Sequence, residues 1–212
     1  MKKSLNILLA AAVVSALAFI GKPSPKTAKH EEPKKIHVVI DAGHGGNDFG
    51  ASFENVTEKD VVAQITNKIK QLNKNENVEI ILTRASDEPV TLQQRTEVIN
   101  ASKPDVVISL HVTASKDSER SGVGLYIAKE NASKQRAMEL ATKMSARIKK
   151  NHAFHVSEIN EAPFYVLKNS QAPAIIVELG YLTNEGDRHY LTDEKQQLRI
   201  ARTILECVND LR

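Results

Sequence analysis

The chain of 212 residues has no tryptophan, a single cysteine, and an aromatic content of only 4%. One thiol cannot close an internal disulfide, so the fold must be held by its core alone. That thiol, Cys207, falls in a helical pattern near the C-terminus and reads as a small buried apolar residue rather than a nucleophile. Charge of one sign is also scarce. The formal net charge is +3, and Lys2 and Lys3 lie in the N-terminal leader, so loss of residues 1–18 leaves +3 − 2 = +1. A nearly neutral domain with interspersed charge lacks the basic footprint of a nucleic-acid binder. No internal repeat or low-complexity tract is present, and a hydrophobic content of 41% excludes a disordered or fibrous chain.

One long apolar run does occur, Leu5–Ile20, behind the basic Lys2-Lys3 pair and ending near Ala16-Leu17-Ala18. This is the pattern of an export signal, and residues 1–20 are read as one. An uncleaved anchor is the alternative, although the run falls somewhat short of the ~20 residues of a usual spanning helix. No cysteine stands at the end of this run, which excludes lipidation there. Residues 21–35, rich in Pro and Lys without an apolar period, read as a linker. Residues 36–212 then form one domain. The expected location is outside the cytoplasm, in the periplasm or cell envelope.

Within that domain, strand and helix patterns alternate. Continuous apolar runs at Ile36–Asp41, Val78–Leu82, Val106–Leu110, Gly122–Ala128 and Ala174–Glu178 suit strands covered on both faces, and Phe164–Leu167 reads as a further strand. Helical stripes include Val61, Val62, Ile65, Ile69 and Leu72. Others run through Ser133–Lys150 and from about Asp193 onward. Thr57 with Asp60, and Thr91 with Gln94, have the spacing of capping boxes. The fold class is therefore α/β: a single domain with a mostly parallel sheet flanked by helices on both faces.

Four chemistry-bearing side chains sit at the ends of these elements. His44 follows the first strand in a turn with Gly43, Gly45 and Gly46. Glu58 opens the next helix, His111 follows "DVVISL", and Glu178 ends "AIIVE". In a mostly parallel sheet these segments converge on one edge, where ligands bind in open α/β folds. Two imidazoles and a carboxylate are a ligand set of catalytic zinc sites, and a further carboxylate can move protons. Asp41 is placed to accept a hydrogen bond from a ligand histidine. Position and residue type alone leave a metal site and merely structural histidines both open. His30, His37, His152, His155 and His189 read as surface or structural, and Glu158 and Glu161 as solvated loop charges.

The segments "IHVVIDAGHGGNDFGA", "TEKDVV", "ILTR", "ISLHVTAS", "FYVLKN" and "AIIVELGYLTN", in this order, resemble the zinc-dependent N-acetylmuramoyl-L-alanine amidases of the amidase 3 type. The resemblance spans Ile36 to Arg212. It implies a mixed, about six-stranded sheet and one zinc ion held by His44, Glu58 and His111. It implies Glu178 as the catalytic carboxylate, with Asp41, Gly45, Gly46 and Thr113 supporting the ligands or the substrate. The implied reaction is hydrolysis of the amide joining N-acetylmuramic acid to L-alanine in peptidoglycan, serving wall remodelling, turnover or daughter-cell separation. One departure stands out: the family commonly reads His-x-Asn or His-x-Asp where this chain has His111-Val112-Thr113. Some relatives acting in cell division carry an inserted helix over the zinc. Between Gly122 and "FYVLKN" this chain has room for only one helix, so an open site is expected. The expected partners are peptidoglycan and a protein activator or targeting partner, with no nucleic acid, and the chain is expected to be a monomer. A zinc peptidase cutting within the stem peptide and a non-catalytic peptidoglycan-binding module are the alternatives.

Overall fold

The computed structural model describes residues 35–211. The export signal and nearly all of the linker read from the sequence lie outside these residues. Strand β1 (Ile36–Ala42) is followed by the two-residue strands β2 (Ser52–Phe53) and β3 (Val56–Thr57), helix α1 (Glu58–Leu72), β4 (Val78–Leu82) and α2 (Leu92–Ser102). Then come β5 (Val106–Thr113), β6 (Val123–Ala128), α3 (Lys134–Asn151), β7 (Val156–Ala162), α4 (Tyr165–Asn169), β8 (Ala174–Tyr181), α5 (Glu185–Thr192) and α6 (Glu194–Asn209). No helix among the described residues is long and apolar enough to cross a membrane.

Six strands form one sheet in the order β4-β1-β5-β8-β6-β7. Every neighbouring pair is parallel except β8 and β6. Because side chains alternate along a strand, each central strand feeds two cores. Val38 and Ile40, Ile108 and Leu110, and Ile175 and Val177 point into the larger core beneath α1, α3, α5 and α6. Val39, Val107 and Ile176 point the other way, into a smaller core with Ile99 of α2 and Val166 and Leu167 of α4. Continuing the alternation, Asp41, Ser109, His111 and Glu178 fall on the smaller-core face, at the C-terminal ends of β1, β5 and β8. The sequence period thus delivers these polar groups to one rim.

Helix ends follow local chemistry. At α2 the capping box is complete: Thr91 accepts from the Gln94 N–H, and Gln94 accepts from the Thr91 N–H at 2.8 Å. At α1 only half forms. The Thr57 hydroxyl accepts from the Asp60 N–H, but the shorter Asp60 side chain accepts from that hydroxyl at 2.6 Å rather than from the backbone. Cys207 is fully buried, and burial pushes its thiol up to about 11, as suits an inert core residue.

Two expectations need correction. Phe164–Leu167 is not a strand: Tyr165–Asn169 forms helix α4. Adjacent Val166 and Leu167 are both buried while Phe164 and Tyr165 are both exposed, a grouping that a two-residue alternation cannot produce. Glu158 and Glu161 lie on the edge strand β7 rather than in a loop, and Glu161 pairs with Lys134 at 2.7 Å. His152 proves structural: it is buried, bonded to the Tyr190 and Thr203 hydroxyls at 2.6 and 2.8 Å, and burial pulls its pKa down to about 4.

Candidate functional site

The turn after β1 is held in an uncommon shape. His44 has φ 60°, a left-handed conformation that costs a non-glycine residue of order 1–3 kcal/mol and persists only when its surroundings enforce it. Two buried guanidinium groups supply that enforcement. Arg95 of α2 donates to the carbonyls of Ala42 and His44, each at 2.5 Å, and to the Asp41 carboxylate at 2.6 Å. Arg84, which follows β4, donates to the carbonyls of Ala42 and Gly43 at 3.1 Å and to that of Lys59 at 3.0 Å. Lys59 holds the Gly46 carbonyl at 2.8 Å, while Asp87 accepts from both the Lys59 ammonium and the Gly46 N–H.

Glycine is required where ligands crowd the turn. A Cβ at Gly43 would collide with the His111 ring. At Gly50, φ is 65° and a Cβ would stand 2.6 Å from His44 Cδ2 and strike the Glu58 carboxylate. Gly45 and Gly46, read from the sequence as supporting the site, back onto Glu88 and Pro89 instead.

Glu58, at the first position of α1, is nearly buried and ties the cluster together. Its Oε1 accepts from the Val112 N–H at 3.0 Å and lies 2.9 Å from His111 Nδ1 and 3.1 Å from His44 Nε2. Its Oε2 accepts from the Ala51 N–H at 2.7 Å. Burial alone would raise its pKa, but the bonds to His111, His44 and Ala51 hold it down at about 2. Reciprocally, the hydrogen bond to Glu58 lifts His44 to about 9 against the opposing effect of burial, with Asp48 adding to the rise. One potential ligand atom from each of His44, Glu58 and His111 lies within 4.8 Å of the others, so the three could hold a metal ion.

Glu178 lies opposite His111 in the parallel β5–β8 register and opposite Gly124 in the antiparallel β8–β6 register. Its Oε2 is buried without a hydrogen-bond partner among the described residues, and burial pushes the carboxyl up to about 7. A carboxyl poised there can both take and return a proton near neutral pH. The two histidine side chains keep 24% and 22% of their surface exposed, in line with an open site.

Two expected supports are placed differently. Asp41 accepts from neither histidine. It is fully buried and saturated by Arg95, by Thr83 at 2.5 Å and by Ser109 at 2.6 Å, so it anchors the turn from beneath. Asp48 takes the histidine role instead, its Oδ2 lying 2.8 Å from His44 Nδ1. Thr113 sits just past a register shift in β5. Its carbonyl accepts from the Leu182 N–H at 2.8 Å, and its hydroxyl makes no hydrogen bond among the described residues. Arg84, Arg95 and Asp48 escaped the sequence reading. For Asp48 the His44-x-x-x-Asp48 spacing was the available signal.

Comparison with known proteins places this arrangement. Residues 38–210 match the amidase 3 family, described as N-acetylmuramoyl-L-alanine amidase. The probable cell wall amidase LytH of Staphylococcus saprophyticus is 32% identical over 80% of this chain, which spans 56% of LytH. The crystal structure of an N-acetylmuramoyl-L-alanine amidase from Clostridium difficile 630 superposes with a TM-score of 0.79. It has 30% identity and covers 84% of this chain and 97% of that one. The CwlD amidase of Clostridioides difficile, solved in complex with the GerS lipoprotein, gives 0.77 at 28% identity over 83% and 98% of the two chains. The match runs from β1 through the whole six-stranded sheet, and the chain belongs to the N-acetylmuramoyl-L-alanine amidase family, enzymes that hydrolyse an amide bond of peptidoglycan.

Proposed function

We propose that the chain hydrolyses the amide between N-acetylmuramic acid and L-alanine through a zinc ion held by His44, Glu58 and His111, with Glu178 moving the protons. The carrying observation is the pairing of that compact His/Glu/His cluster with a buried carboxylate oxygen that no group among the described residues satisfies. The donors fit zinc: two imidazoles and one carboxylate are a catalytic set that leaves a position for water. When bound, zinc polarises a carbonyl and lowers the pKa of a water towards ~7.

The chain's own residues account for the rest. Glu58 is fixed by two backbone N–H groups before any ligand arrives, so little ordering remains to be done on binding. Asp48 orients His44 through Nδ1, which turns Nε2 toward Glu58 and the cluster. Glu178 takes the proton of the attacking water and returns it to the departing nitrogen of L-alanine. Removing the Asp48 carboxylate is therefore expected to weaken zinc binding about 10–100-fold, measured by competition with a chromophoric chelator in Asp48→Ala. Unchanged affinity would show that Asp48 does not orient His44.

Several wider points belong to the same reading. Residues 1–20 serve as an export signal or anchor, residues 21–35 as a linker, and residues 36–212 as the catalytic domain acting in the cell envelope. That location follows from where the substrate lies and from the cell-wall role in the LytH name. The CwlD–GerS complex supports a protein partner for this chain as well. The test is digestion of purified peptidoglycan followed by mass spectrometry. Whole stem peptides with a free L-alanine amine, beside bare glycan, are expected. Stems cut internally would point to a peptidase, and binding without any product to a non-catalytic module.

A further inference from the structure

The flank of Glu178 away from the metal-ligand cluster carries groups that this mechanism does not use. In β6, the neighbour opposite Glu178 is Gly124, which has no side chain. Into that space leans the ring of Tyr126. A Cβ built on Gly124 would stand 3.1 Å from Tyr126 Cε2, 3.6 Å from its hydroxyl oxygen and 3.5 Å from Glu178 Cβ. Phe164 fixes the ring by an edge-on contact, with centroids 5.5 Å apart. The Tyr126 hydroxyl makes no hydrogen bond among the described residues, although the ring is half-buried.

On the loop that leads into β6, Arg120 lies over the ring of Tyr181, three residues beyond Glu178, with its guanidinium carbon 5.8 Å from the centroid. Among the described residues it makes no ion pair. The antiparallel register sets Gly124 beside Glu178 and runs the start of β6 toward the C-terminal end of β8, so the Tyr126 ring, leaning back over Gly124, and the Arg120 guanidinium, over Tyr181, both lie toward that end of β8. A phenol donor and an unpaired guanidinium on one flank of a carboxylate base suit an anion.

We propose that Tyr126 and Arg120 form a carboxylate-binding subsite that holds the stem peptide beside Glu178. The proposal rests on the amidase reading above. It selects the peptide rather than the glycan because the muramic carboxyl is consumed in the scissile amide, whereas the stem carries free carboxylates. The two groups would position the substrate without touching the reacting bond, so they should act on KM rather than kcat.

The test compares wild-type protein with Tyr126→Phe and Arg120→Gln on two soluble muramyl peptides, one with free stem carboxylates and one with those carboxylates amidated. On the free acid, each variant is expected to raise KM about three- to tenfold with kcat within about twofold, and the Arg120 effect should shrink at high salt. On the amidated peptide, wild type and both variants should converge. Equal KM for all three proteins on the free acid would overturn the subsite, as would equal losses on both peptides. If wild type cleaves neither peptide at the muramyl amide, the amidase reading fails and the subsite falls with it.

Discussion

Glu178→Gln is expected to lower turnover about 10²–10⁴-fold while leaving zinc binding nearly intact. The range is what a positioned general acid–base group contributes, and no other carboxyl of the cluster can substitute. Glu58 is ionised and committed to two backbone N–H groups and two histidines. Glutamine keeps the shape of Glu178 but cannot take a proton from water. The same variant has a second readout in the metal-free protein. Burial raises the Glu178 pKa to about 7, so its favourable contribution is present below the ordinary carboxylate range and is lost as pH rises through 7. Metal-free Glu178→Gln should therefore be more stable than wild type at pH 8, by about 2 kcal/mol, and similar to it at pH 5. Denaturant unfolding at the two pH values measures this. A variant with near-normal turnover would remove Glu178 from the mechanism.

The second large effect is structural. Arg95→Met should destabilise the protein by about 3–5 kcal/mol, the usual result of stripping one partner from a buried ion pair. Asp41 is fully buried, and its carboxylate would keep only the Thr83 and Ser109 hydroxyls. Burial alone would raise Asp41, and Arg95, with help from Ser109 and Thr83, reverses that and holds its carboxyl below the ordinary value. The loss also frees the His44 carbonyl and leaves that of Ala42 to Arg84 alone, so the left-handed His44 would relax and zinc affinity should fall along with stability. A double change, Arg95→Met with Asp41→Asn, should recover part of the stability by removing the unpaired charge, but not the zinc affinity. Full stability in the single variant would show that the guanidinium does not clamp the turn.

What could be read in the sequence was what periodicity and residue type encode directly. The central strands β1, β5 and β8 are continuous apolar runs because both faces are covered, and their ends deliver His44, His111 and Glu178 to one rim. The edge was harder to see. Strand β7, Val-Ser-Glu-Ile-Asn-Glu-Ala, is largely exposed and polar, so it carries no hydrophobic signature, and only pairing with β6 makes it a strand. Helix α5 is short and charged, although Asn184 caps it through the Asp187 N–H, a spacing visible in the sequence. The support of the site was least legible. Asp41 looked like a histidine partner because it is near His44 in the chain. In the fold its strand aims it at Ser109 and at Arg95, a residue 54 positions away. Sequence proximity identified the ligand turn but not what holds it.

The most direct measurement is metal reconstitution. The protein is stripped with a chelator, dialysed and assayed for release of stem peptides as zinc is added back, with His111→Ala in parallel. Stripped wild-type protein is expected to be inactive and to regain full cutting at one equivalent of zinc, while His111→Ala should stay inactive at that ratio. Full activity in wild-type protein holding less than about a tenth of an equivalent of metal, or recovery of His111→Ala to the wild-type rate at one equivalent, would contradict the assignment of His44, Glu58 and His111 as the zinc site.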